Sequence, residues 1–171
     1  RNGIYHGPLM KLLEQQAKNK EWKELSGYKT DKRMKSEELI LRFFALCDDW
    51  RNYQKPLSGF LSKYSEIHRN ASDTEIDKLK DEFSRCFKAC KSLFGKLAFR
   101  TFSDRGLNPK FNAALFDAQM VSVFELDITD ETAKAIDKNL LMQKLIELFS
   151  SEEFSKSISQ ATTDRNAVLF R

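Results

Sequence analysis

The side chains whose types and spacing could do chemistry are few. Cys86 and Cys90 are four residues apart, one turn on a helix, a spacing that suits two metal ligands. A structural zinc needs four, and only His6, His68 and Cys47 remain to supply the others. Both cysteines also fall within an apolar series, where cysteine behaves as a small hydrophobe, so core packing is the expected role. The acidic pairs Asp48–Asp49 and Glu152–Glu153 are adjacent in sequence and do not share a helix face, which makes them poor metal or general acid–base pairs. His68 is expected near a helix end, close to the last carbonyls. No phosphate-gripping loop, nucleophile elbow or metalloprotease helix occurs in the sequence. The expectation is that no residue here is catalytic, cofactor-binding or metal-binding.

One charged cluster points outward instead. Lys29, Lys32, Arg33 and Lys35 lie in a loop leading into a helix, where unpaired backbone amides and basic side chains together can hold a phosphate. Alternatively, Asp31 and Arg33 form local salt bridges that fix the loop. The formal net charge is only +4, yet it is unevenly spread. Residues 1–116 carry 23 basic and 15 acidic side chains, whereas residues 117–153 carry 3 and 9. Such polarity could steer a phosphate backbone toward the first two-thirds of the chain. No segment is basic without interleaved acids, and a solvated surface of both signs is the plainer account.

The elements that must position these groups read as helices. Pro8 suits a first turn, and Leu9, Leu12, Leu13 and Ala17 recur at helical spacing, with Trp22 and Leu25 following before Gly27. A second helix from about Ser36 to Tyr53 is apolar nearly all round, as a central, buried helix should be. Pro56 is expected to open a third. Ser72 and Glu75 have the spacing of a capping box. Ile76, Leu79, Phe83, Cys86, Cys90, Leu93 and Leu97 then form a seam with period near ~3.5 residues, predicting a long helix of about 25 residues. A fifth helix is expected from Pro109, with Phe111, Ala114, Leu115, Ala118 and Val121 on its stripe. Thr129 should cap a sixth that continues, with a kink near Asp137–Asn139, through Leu140, Leu141, Leu145, Leu148 and Phe149. Ser151 should cap a short seventh, and Asp164 a truncated one.

These add up to an all-α bundle of about seven helices with one long central helix, a single domain over residues 1–171. Glycine (6) and proline (3) are too scarce for a fold of many tight turns, and fourteen phenylalanines can build a core within the 171 residues. No apolar run approaches the ~20 residues of a membrane span, so no membrane partner is expected. Three cysteines inside apolar patterns suit a reducing compartment. A chain that opens at Arg1 and stops in NAVLFR as an apolar pattern begins is expected to be a piece cut at both ends.

Three stretches carry a family likeness: RNGIYHGPL at the start, DKRMKSEELILRFFAL from Asp31 to Leu46, and FNAALFDAQM from Phe111 to Met120. They resemble the unknown-function family that supplies the N-terminal part of GmrSD-type, modification-dependent restriction endonucleases and related prokaryotic anti-phage proteins. In that family a ParB/sulfiredoxin-like domain with an Asp-Gly-Gln-Gln-Arg motif binds and hydrolyses nucleotide. A helical region follows, and many members then add an HNH-type nuclease. The resemblance implies that this chain is the helical region of a cytoplasmic, NTP-dependent nuclease component whose nucleotide and divalent metal are held elsewhere in the parent protein. Arg1 and Asn2 match the family's Arg-Asn pair closing the first domain, and are expected to touch it. Implied partners are that N-terminal domain, DNA and a second copy of the chain.

Two rival readings stand beside it. One is a protein–protein scaffold without nucleic-acid contact. The other is a helical RNase of the HEPN type, whose arginine, polar residue, spacer and histidine pattern RNGIYH resembles; Gly7 and Pro8 follow where that chemistry needs a long helix end.

Overall fold

The structure, a computed structural model, describes residues 7–28, 34–103 and 105–171. Among them the chain forms ten α-helices and one two-stranded antiparallel ribbon. The helices are α1 (Pro8–Ala17), α2 (Lys20–Ser26), α3 (Lys35–Asp49), α4 (Leu57–Ile67), α5 (Asp73–Phe94), α6 (Ala113–Glu125), α7 (Asp130–Ala135), α8 (Lys138–Ser150), α9 (Glu152–Ser159) and α10 (Arg165–Phe170). The ribbon pairs β1 (Phe102–Ser103) with β2 (Gly106–Leu107) between α5 and α6, a small hairpin within the all-α bundle.

The all-α bundle is as expected, but it has more breaks than periodicity alone gave. The first apolar series is two helices, because the Asn19 side chain accepts a hydrogen bond from the Trp22 amide (3.2 Å) and starts a new one. Gly27 ends it in the left-handed conformation (φ 78°), where a side chain would be strained. The sixth helix is also two. The Asp137 carboxylate accepts from the Asn139 and Leu140 amides and caps α8 separately from α7. Helix α6 begins at Ala113, four residues after Pro109, since Asn112 caps it through the Leu115 amide (2.8 Å). Pro56 flanks α4 as its N-cap residue.

The long helix forms as its pattern predicts. Ser72 Oγ accepts from the Glu75 amide while Glu75 Oε2 accepts from the Ser72 amide (2.8 Å), so two free donors of the first turn are satisfied reciprocally. Its 22 residues run into a turn of 3-10 helix ending at Leu97. Phe83, Cys86, Cys90 and Leu93 of the seam are buried; Ile76 and Leu79, nearer the start, are half-buried.

Helix α3 is the centre of the bundle, packed against α1, α4, α5 and α6. Ser36 and every residue from Leu39 to Leu46 are buried. The core closes around the Trp22 indole, fully buried and surrounded by the rings of Phe83, Phe87, Phe111 and Phe116 at 5.4–6.1 Å. Its Nε1–H donates to Ser36 Oγ, so burial leaves no orphaned donor.

Helix α8 stands apart from the other long helices. None of its thirteen residues is buried, and it packs mainly on α9. Leu141, Leu145 and Phe149 face inward at successive turns and are half-buried, with Phe149 against Phe102 (4.5 Å) and Phe154 (5.4 Å). Leu140, Met142, Ile146 and Leu148, on the flanks of that stripe, are exposed.

Candidate functional site

Two charged residues interrupt otherwise apolar helix faces, and the fold brings them together. Arg42 lies in the middle of α3, within LILRFFAL, and Asp117 in α6, within ALFDAQM. Both are buried, and Arg42 Nη2 donates to Asp117 Oδ2. A charge at the centre of a buried helix needs such a partner, because an unpaired one would cost several kcal/mol. The pairing is incomplete. Asp117 Oδ1 and Arg42 Nε, both shut off from solvent, have no hydrogen-bond partner among the described residues. Burial raises the Asp117 carboxyl above its usual range, against the opposing pull of Arg42.

Asp117 forms part of the wall of a cleft of about 290 Å³ between α3, α6 and α10. Leu46, Ala118, Val121, Leu126, Val168 and Leu169 make its lining largely apolar. Trp50, just past α3, contributes an indole whose buried Nε1–H also lacks a partner among the described residues. The Arg51 guanidinium lies 4.4 Å from the Trp50 ring and donates to Glu125 (2.9 Å), holding the indole in place. On the far side, Arg171 donates to the Ser157 and Thr162 carbonyls (2.9 Å each), and burial lowers its pKa. Tyr53 Oη donates to the Thr163 carbonyl (2.8 Å) and Lys55 pairs with Asp164 (2.6 Å), so the segment before α10 is tied to the segment that follows α3.

A second, wider groove of about 500 Å³ runs between α3 and α4, past Asp48, Asp49, Lys55, Lys63 and Tyr64. Asp49 accepts from Asn52 (2.7 Å) and Lys55 is engaged by Asp164. Its lining contains no histidine, cysteine or serine.

Of the sequence candidates, Arg1, Asn2, Lys29, Lys32 and Arg33 lie outside the described residues, as does His6. Lys35 opens α3 and is exposed, two turns before Arg42 and apart from the residues of either cleft. Cys86 and Cys90 are fully buried core residues; burial pushes the Cys86 thiol up to about 11 and raises that of Cys90 well above its ordinary value. Cys47 is raised likewise. Thiols so held carry almost no thiolate near neutrality. Among the described residues, no group of three or more His, Cys, Asp or Glu side chains is placed to hold a metal ion. His68 ends α4, its amide donating to the Tyr64 carbonyl (3.1 Å) and its ring 4.2 Å from that of Tyr64. Glu152 sits in the first turn of α9, paired with Lys156.

Sequence reading missed Arg42 and Asp117. The available signal was a lone ionised residue inside each of two apolar runs. No family model, curated protein or solved structure matches this chain.

Proposed function

We propose that this chain is a helical interaction segment of a GmrSD-type restriction or anti-phage defence protein, docking the nucleotide-hydrolysing domain of the same protein. The observation that carries the docking role is α8. A thirteen-residue helix with no buried residue, exposing Leu140, Met142, Ile146 and Leu148, has more apolar surface than its own fold uses. Helices packed on one another can shift as rigid bodies between two arrangements, which would let such a segment relay nucleotide state to a nuclease. The defence lineage rests on the three resembling stretches.

The test mixes this chain with the ParB/sulfiredoxin-like domain encoded in the same reading frame and follows association by light scattering. Met142→Glu with Ile146→Glu, one turn apart on α8, is expected to weaken association at least about tenfold, since each places a charge in a desolvated contact. Thermal stability of the isolated chain should change much less than association does, because neither side chain is buried in the chain's own fold. Undiminished association would remove the docking role from α8.

DNA engagement is a second reading, favoured by the basic surplus of residues 1–116 and by exposed Lys35 at the start of α3. Here the triple change Lys32→Glu, Arg33→Glu, Lys35→Glu should weaken duplex DNA binding. The slope of log affinity against log salt should become shallower by about 0.9 for each phosphate that is no longer neutralised. Absence of DNA binding at low ionic strength would leave the scaffold alone.

A further inference from the structure

We propose that the β1–β2 hairpin enters the major groove of duplex DNA, with cations at its root on the flanking phosphates. The inference rests on the DNA-engagement reading and places the contact on residues outside the basic loop of that reading. Charge is the first observation. Residues 83–116 carry seven basic side chains and one acidic, a surplus larger than the net +4 of the whole chain. Lys96, Arg105 and Lys110 in this stretch are exposed, and none is ion-paired among the described residues. Four acids on the adjoining helices are already engaged, since Glu21, Glu24, Glu147 and Glu152 each pair with a lysine.

Shape selects the polyanion. Every described residue from Ser103 to Lys110 is exposed, so the hairpin stands clear of the bundle. Arg105 lies in the turn between the paired Ser103 and Gly106, and Gly106 takes a positive φ (97°) that suits glycine. From the Asn108 amide on the Thr101 carbonyl (2.9 Å) to that turn is about 10 Å, at ~3.3 Å per residue. A major groove about 8.5 Å deep and about 12 Å wide admits a two-stranded ribbon of this reach. The root is fixed. The Arg100 guanidinium donates to the Leu25, Ala98 and Pro109 carbonyls, and Phe102 packs on Phe149 (4.5 Å). Lys96 and Lys110 flank that root, a ribbon's length behind Arg105. They reach phosphates only where the polyanion rises on both sides of the ribbon, as groove walls do. A flat anionic surface, lipid or protein, would meet the tip alone. Arg105 then faces base edges, where a guanidinium pairs with guanine O6 and N7.

Fluorescence anisotropy of a short labelled duplex, titrated with the whole chain at low ionic strength, measures the contact. Arg105→Glu with Lys110→Glu should weaken binding at least about tenfold and flatten its salt dependence, by about 0.9 in log–log slope for each phosphate released. Both side chains are exposed, and circular dichroism checks that the variant is folded. Methyl green, which occupies the major groove, should compete with the chain, and netropsin, which occupies the minor groove, should not. If the parent chain binds no duplex, the inference falls together with the DNA-engagement reading. Undiminished binding by the hairpin variant overturns the inference alone, and the Lys32→Glu, Arg33→Glu, Lys35→Glu chain then tests the basic loop. Competition by netropsin in place of methyl green, or equally tight binding of phosphatidylserine vesicles or polyglutamate, overturns it as well.

Discussion

Trp22→Ala is expected to lower the stability of the fold by about 3–5 kcal/mol, the range for removing a large aromatic side chain from a well-packed core. Trp22 is fully buried where α2 meets α3, α5 and the start of α6, and four phenylalanine rings lean on its indole. A cavity at that point loosens several helices at once. Edge-on ring contacts of this kind add to area burial, which places the effect toward the upper part of the range. For a chain of this size the midpoint of thermal unfolding should fall by about 10 °C. Trp22→Phe keeps most of the volume but loses the donor to Ser36 Oγ, and should cost less. Thermal and urea unfolding followed by circular dichroism measure both. A loss under about 1 kcal/mol for Trp22→Ala would mean that the indole is not the keystone of this core.

What could be read from the sequence was local. The start of α5 was legible because Ser72 and Glu75 are three residues apart and their side chains serve each other's amides. Its seam was legible because one long helix repeats a single pattern. The break between α1 and α2 was not, because Trp22 and Leu25 continue the helical spacing across Asn19, whose side chain nevertheless caps a new helix. The expected stripe of α6 held for Ala114 and Leu115, but the most deeply buried residues there are Phe116, Met120 and Val123. Helix α6 is covered on more than one side, by α3, α5 and α9, and an all-round apolar helix hides which face is deepest. On α8 the reverse occurred. Leu140 and Leu148 read as core residues but are exposed, because only the face carrying Leu141, Leu145 and Phe149 turns toward the rest of the fold.

The cleft was illegible for a different reason. Arg42 and Asp117 are 75 residues apart, and each is a lone charge that pattern reading treats as an interruption. Only packing of α3 on α6 turns two interruptions into one pair, and only the segment before α10 closes a wall around it. The basic loop, by contrast, was conspicuous in composition, yet of its four cations only Lys35 falls among the described residues.

That pair yields the second large effect. Asp117→Ala should destabilise the chain by about 3–5 kcal/mol, because Arg42 would remain buried with its charge uncompensated. The double change Arg42→Met with Asp117→Leu should recover most of that loss, since similar volume is kept and neither charge has to be desolvated. Urea unfolding of the parent chain, Arg42→Met, Asp117→Leu and the double variant closes a cycle that gives the coupling energy directly. The sign of the pH dependence offers a separate check. Burial raises the Asp117 carboxyl above its usual value even with Arg42 attached and Arg171 nearby, with Glu38 adding a smaller push upward. The folded chain therefore takes up that proton before the unfolded chain does. Below the raised folded value, and down to the unfolded value near ~3.9, stability should rise as pH falls on account of this group. Exposed Glu75 and half-buried Asp130 act oppositely: their hydrogen bonds lower their pKa, and their contribution is lost as pH falls through those lowered values. Subtracting the stability profile of Asp117→Asn from that of the parent chain isolates the buried carboxyl. A difference that falls with acidification would mean that Arg42 outweighs burial, and that the pair is a net source of stability to the bundle.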